Sequence, residues 1–412
     1  MPHIEFSLKD RERLRRFAEQ VAELAARPVE AKKRDLWYRH NALEATRPVI
    51  FCDPENSWHE IIPDSTLTCE SPLARKWEYL LRKDIFWGSQ MCDDRVVPPY
   101  FTIEHVHSEP DWGLKEDVIG GKNGGSYVWD APIKTEEDIE KLHTPHIDID
   151  FETTEFQTEL ARDVFSGILD VQVKTAWWWS LAETRVLARL RGLKQMMLDY
   201  ADRPEWVHRV MTILHDGILA MMDDIESRGL LSLNNGGDYV GSGGFGWTHD
   251  LPKPGFDGTV HLSDLWGFVE SQETVGVSPK MFAEYIFPYQ LPILARFGLT
   301  CYGCCEPVDK RWKWISQIPN LRRVSVSPWS DRARMAEYLA DRYIFSLKPN
   351  PALLAMESFD PELVRAELRR DLEISRGCRV EVIMKDNHTI RNDPRRVVEW
   401  VRIAHEEAQR IA

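Results

Sequence analysis

The chain has 412 residues, 43% of them hydrophobic, enough to bury a large core as one barrel-sized domain or as two smaller ones. Its net charge of −14, with Lys and Arg scattered among acids, argues against a nucleic-acid or anionic-membrane surface, and no run of about 18 apolar residues is present to span a bilayer. Seven cysteines, an odd number without small-domain spacing, fit reduced thiols, and the polar start from Phe6 to Arg16 lacks an apolar signal core, so a cytoplasmic protein is expected.

In chain order, Ser7 with Asp10 resembles a helix cap, and Leu14, Phe17, Val21 and Leu24 recur on one face of the helix it opens. The run at 48–52 reads as a strand ending in Cys52-Asp53-Pro54. Ser71-Pro72 opens a helix running to about Trp87. Residues 88 to 165 are less regular, with a strand pair between Val96 and His107 and a glycine-rich turn at 120–125. From Gly167 strand-like runs follow at 168–173, 230–234, 259–265, 299–304, 323–327, 343–347 and 379–384. Helices opened by Asp202-Arg-Pro204, Ser278-Pro279 and Asp360-Pro361 lie among them. Eight strands alternating with helices predict an α/β fold, a (β/α)8 TIM barrel over 46–412 with an N-terminal helical extension over 1–45.

Barrel chemistry sits at the carboxyl ends of the strands. Those positions hold Cys52-Asp53, Lys174, Asn234 to Asp238, Asp264 to Glu270, Cys304-Cys305-Glu306, Trp329, Lys348, and Lys385-Asp386-Asn387-His388. Polar, titratable and thiol residues gather there while the strand interiors are mainly apolar, the pattern of an enzyme. The densest cluster is Cys301, Cys304 and Cys305 beside Tyr302 and Glu306. As C-x-x-C at a strand end it lacks the helix N-terminus of a redox motif, and without a second pair it is no structural zinc knuckle. A catalytic zinc needs only three protein ligands, and Cys304 or Cys305 with His388 and an acid such as Glu270 or Glu306 would supply them; buried inert thiols are the alternative. Gly241 to Gly246 matches G-x-G-x-x-G, but Trp247-Thr-His-Asp-Leu-Pro252 opens no helix after it, so the run is expected to be a mobile loop over the mouth and not a nucleotide site. Glu104-His105-Val106-His107 carries a metallohydrolase-like His spacing in the irregular region. Sixteen tryptophans, several near strand ends, keep an aromatic pocket in view.

Several segments are similar to the uroporphyrinogen decarboxylase superfamily: Leu190-Arg-Gly-Leu through Asp202-Arg-Pro-Glu-Trp-Val207, Ser278-Pro-Lys-Met-Phe282, Lys348-Pro-Asn-Pro351, and Asn387-His-Thr-Ile390 followed by Asp393-Pro394. The resemblance implies a (β/α)8 barrel. The decarboxylase carries an arginine-rich motif after its first strand; here 50–57 holds no arginine, which points to the other branch, zinc-dependent methyltransferases that work with corrinoid proteins. Relatives there use H-x-C where this chain has Tyr302-Gly303-Cys304, and a further ligand where His388 stands. The implied metal residues are Cys304 and His388, with Glu270 and Cys305 as candidates for the place left by Tyr302. Tyr302, Asp238, Lys348 and Asp386 are the expected catalytic groups. The expected reaction moves a methyl group from a small methylated substrate, a phenyl methyl ether for preference, to cobalt of a cobamide on a separate corrinoid-binding protein, with Zn2+ as cofactor. A homodimer is left open. The alternatives are a metal-independent decarboxylase or lyase using Lys348 and Asp386, and a non-catalytic barrel that binds a corrinoid protein.

Overall fold

The computed structural model describes residues 6–121 and 127–411, so the glycine-rich turn at 120–125 lies partly outside the described residues. Twelve strands are found among them. β1 (Val49–Cys52), β2 (Tyr100–Ile103), β3 (Val106–His107), β4 (Asp117–Gly120), β5 (Tyr127–Asp130), β6 (Ile149–Asp150) and β7 (Asp170–Val173) fall in the first half. β8 (Trp266–Val269), β9 (Leu299–Tyr302), β10 (Leu321–Val326), β11 (Ile344–Leu347) and β12 (Arg379–Met384) fall in the second. Six of them form one parallel sheet in the order β1-β12-β11-β10-β9-β8. β2 and β7 form a separate parallel pair, and β3–β6 and β4–β5 are antiparallel pairs.

The fold is therefore mixed α/β on a parallel sheet, but strand pairing does not close it. Side chains take the place of neighbouring strands at both edges. On β1, the Ile50 and Cys52 amides donate to Asp94 Oδ2 and Asp93 Oδ2 at 2.8 and 3.0 Å, and the Asp94 amide returns a bond to the Ile50 carbonyl. On β8, Asn234 bonds both the amide and the carbonyl of Trp266, at 2.9 and 3.0 Å, and the Leu181 amide donates to the Phe268 carbonyl. The expected strand at 230–234 is thus a segment beside β8 whose asparagine amide makes the contacts of a ladder, and residues 259–265 hold a short 3-10 turn, the strand starting only at Trp266. β2 and β3, expected as a pair, instead take β7 and β6 as partners.

Helix starts follow the local chemistry. Ser7, Ser71, Ser278 and Asp360 accept from the amides of Asp10, Ala74, Met281 and Leu363, and Pro at the first turn costs nothing because its missing donor has no intrahelical partner. The helix that Ser278-Pro279 opens is broken in two, Pro279–Tyr285 and Phe287–Leu294, at Ile286. The N-terminal helix Leu8–Ala25 buries Leu14, Ala18 and Val21 in a cluster with Trp77, Phe101 and Phe165, while Trp37 and His40 of the helix Pro28–Asn41 are fully buried. No described helix is long and apolar enough to cross a membrane.

Alternation along the strands sends Val324, Val326, Phe345, Leu347, Val380 and Val382 into the main apolar core. The opposite set includes Arg323, Ser346 and Glu381, which meet one another: Arg323 Nε lies 3.0 Å from Glu381 Oε1, and Ser346 Oγ donates to the same carboxylate at 2.5 Å. The segment Gly241–Gly246 fills the space over these residues. All six residues are buried, which corrects the expectation of a mobile loop at the mouth. Glycine is required by contact: a Cβ on Gly244 would stand 2.7 Å from the Arg323 guanidinium carbon, one on Gly246 1.8 Å from the Asn234 carbonyl oxygen, and one on Gly243 2.5 Å from Ile383 Cγ2. Gly243 also has φ +99°, which an L side chain rarely adopts. Gly243→Ala is expected to cost about 1–3 kcal/mol, the range for overpacking a filled core, read as a lowered urea midpoint at unchanged slope.

Candidate functional site

All six parallel strands end on the same side, so the residues just beyond them, Asp53, Lys385, Lys348, Ser327, Gly303 and Glu270, share one end of the sheet. Cys304 stands there beyond β9, one strand in from the β8 edge. The strand stops at Tyr302, Gly303 turns the chain at φ +87°, and the Sγ atoms of Cys304 and Cys305 then converge to 3.7 Å. Ser242, brought in by the buried glycine segment, places Oγ 3.1 Å from Cys304 Sγ. Cys305 Sγ lies 3.4 Å from Asp386 Oδ2. Glu306 fixes the backbone, its carboxylate accepting from the amides of Cys304 and Ser271 at 2.9 and 2.8 Å.

Lys385 supplies a buried cation that acts on Cys304, with Nζ 3.4 Å from Glu55 Oε1, 3.8 Å from Asp386 Oδ1, and 5.8 Å from the Trp179 ring centroid. Glu55 also accepts from the Asp386 amide at 2.6 Å, holding Asp386 at φ +60°, a left-handed conformation that aspartate tolerates better than most residues. The electrostatics follow from these neighbours. The hydrogen bond from Cys305, with Lys385 and Ser242 assisting against burial, moves the Cys304 thiol below its ordinary range; the same bond pushes Cys305 up. Burial would lower Lys385, but Tyr239, Cys304, Glu55 and Asp386 outweigh it and hold the ammonium charged.

The residues expected from sequence separate into three groups. Cys304, Cys305 and Asp386 come together. Glu270 is fully buried and its carboxylate accepts from the Gln272 amide at 2.8 Å; burial, then Glu273 and Glu306, raise it well above the carboxylate range. His388 is exposed in the loop after β12. The others have separate employment. Tyr302 is fully buried against the helix Phe287–Leu294, its hydroxyl donating to Gln290 Oε1 at 2.9 Å and meeting Ser271 Oγ at 3.2 Å. Asp238 pairs with Lys174 at 2.6 Å. Lys348 is buried under the glycine segment, bonded to Ser346 Oγ at 2.7 Å and the Gly243 carbonyl at 3.4 Å; burial brings it down to about 8. That enclosure works against a lyase using Lys348 on a substrate.

His105 and His107 flank Trp177 with ring centroids 5.3 and 5.1 Å away, and His105 Nδ1 is 2.8 Å from Thr175 Oγ1, so these rings serve packing. Cys301 faces Arg323, 3.7 Å away, in the sheet interior. Among the described residues no group of three or more His, Cys, Asp or Glu side chains is arranged to hold a metal ion. A cleft of about 650 Å³ opens at the opposite end of the sheet, beside Leu299 and Leu321 at the starts of β9 and β10; its Arg322 is paired with Asp250. The thiol centre is the better candidate, because there unlike reactive groups converge.

Ser242, Glu55 and Trp179 are not among the individual site residues that the sequence suggests. Ser242 was hidden in a glycine run, and Glu55 carried only its place just after the first strand. Trp179, 38% exposed and packed edge-on to Phe268, belonged to a tryptophan triplet whose members differ in burial.

The architecture has a counterpart among solved structures. A methyltransferase from Methanosarcina mazei superposes over 92% of this chain and 97% of its own, with a TM-score of 0.50 at 10% identity. The likeness is one of fold. No protein-family model matches the sequence, and no curated protein matches it.

Proposed function

We propose that the protein is a methyltransferase of the corrinoid-dependent kind, taking a methyl group from a small methylated substrate, a phenyl methyl ether for preference, and delivering it to cobalt on a separate corrinoid protein. The observation that carries this reading is the convergence of the Cys304 and Cys305 sulfurs beside Lys385 and Asp386, at the carboxyl end of a parallel sheet. The fold shared with a methyltransferase is in keeping with it.

Zinc fits two corners of this site. Two sulfurs at about 2.3 Å from one tetrahedral zinc stand about 3.8 Å apart, and the thiol pair is separated by 3.7 Å. The further corner would fall to Glu270 or to His388, neither of which stands with the thiols in a three-ligand group. Bound there, zinc would supply Lewis acidity toward the ether oxygen.

The chain's own groups have clear tasks in this scheme. The exposed part of Trp179 offers a face for an aromatic ring. Lys385, kept charged by its neighbours, would hold the negative charge that develops on the departing phenolate oxygen. Asp386, half-buried beside it, would exchange the proton of the phenol product with solvent. Metal analysis tests the base of the proposal: about one zinc per purified chain is expected, with a marked loss in Cys304→Ser and in Cys305→Ser. A zinc-free wild-type protein, or unchanged zinc in both variants, would overturn it.

A further inference from the structure

We propose that Cys304 and Cys305 are an oxidative modification site, closing to a vicinal disulfide when the protein meets a hydroperoxide. Neighbouring side chains on a strand point to opposite faces. Here the strand ends at Tyr302, the turn at Gly303 abolishes the alternation, and the two sulfurs come within 3.7 Å as free thiols. Cys305 is half-buried, so a small oxidant has a route to the pair, while Cys304 is buried behind it.

The chemistry balances with the hydroperoxide as two-electron oxidant. One thiol sulfur takes the terminal oxygen, the O–O bond breaks, the alcohol leaves, and a sulfenic acid remains. The second sulfur then attacks the sulfenyl sulfur, an S–S bond forms, and water departs. In sum, two thiols and ROOH give one disulfide, ROH and H2O. Consecutive Cα atoms lie about 3.8 Å apart across a trans peptide, shorter than the roughly 4.4–6.8 Å usual for a disulfide, so the bridge is strained and returns readily to thiols. Closing it also draws the sulfurs away from Ser242 and Asp386, both within 3.4 Å in the reduced protein.

The experiment treats the purified full-length chain with hydrogen peroxide, then blocks free thiols and maps the peptides by mass. The expected result is a peptide spanning 304–305 lighter by two hydrogens, a fall in titratable thiols from seven to five, and recovery of both with dithiothreitol. In Cys305→Ser, whose Cys304 lacks a partner, the same treatment should leave an oxygen adduct on Cys304. Two blocked thiols after oxidation of the wild type, or an oxygen adduct on Cys304 in place of the bridge, would overturn the proposal. Zinc held by the same two sulfurs would leave as the bridge forms, so zinc content and methyl transfer are measured on the untreated protein and stand or fall by those measurements.

Discussion

Under the proposed function, Cys304→Ser is expected to lower methyl transfer by about 10³-fold while leaving the fold intact. The hydroxyl is close to the thiol in size and can keep the contact with Ser242, and the backbone amide remains held by Glu306. What is lost is the ionisable sulfur: a serine hydroxyl stays protonated at neutral pH, whereas hydrogen bonding and Lys385 favour the Cys304 thiolate. Lewis-acid polarisation is worth several kcal/mol, and about 4 kcal/mol converts to 10³ in rate. The measurement is single-turnover transfer to cob(I)alamin, with urea unfolding of the same sample to show equal stability. Near-wild-type rates in the variant would remove Cys304 from the chemistry.

Glu381→Gln is expected to destabilise the protein by about 3–5 kcal/mol, the cost of leaving a buried charge without its partner. Arg323 and Glu381 are both almost fully buried, and Arg323 otherwise meets only neutral groups, Asn41 Oδ1 at 2.8 Å, the Phe245 carbonyl at 3.2 Å and Cys301. Burial alone would raise the Glu381 carboxyl, but Arg323, His40 and Lys348 outweigh it and bring it down to about 2. An unfolded glutamate takes its proton near 4.5, so the ion pair contributes fully above that pH. The contribution fades as pH falls from about 4.5 to about 2, because protonation then favours the unfolded chain. Urea midpoints for wild type and Glu381→Gln should differ most above pH 5 and converge in acid. A constant difference across that range would contradict the assignment.

The parts of this fold that the sequence displays are those governed by local chemistry. Ser71-Pro72 and Asp360-Pro361 announce helix starts because capping and proline act within one turn. The run at 379–384 reads as a strand because Val380, Val382, Ile383 and Met384 are all buried and leave a dense apolar signature. The edges of the sheet were not legible. Asn234 completes the β8 edge with its side-chain amide, and Asp93 and Asp94 complete the β1 edge with carboxylates, none of which looks like a strand in periodicity. The glycine segment is ambiguous in sequence for a related reason: glycine signals flexibility and close approach equally, and only the contacts with Arg323, Ile383 and Asn234 decide which.

The site divides along the same line. That Cys304, Cys305 and Asp386 come together was legible, because strand ends of a parallel sheet share one side. The place of Tyr302 was legible too, since alternation puts it on the opposite face from Cys301, with the surrounding helices and not with the sheet interior. Ser242 could not be found that way, because it reaches Cys304 across 62 positions of sequence through a segment with no regular structure.

The most direct test of the account is to mix the zinc-loaded protein with cob(I)alamin and a phenyl methyl ether and follow the Co(I) absorbance. Loss of the Co(I) band, formation of methylcobalamin and release of one phenol per methyl group are expected, all strongly reduced in Cys304→Ser. A zinc-replete protein that leaves Co(I) unchanged with phenyl methyl ethers and with other small methylated donors would contradict it.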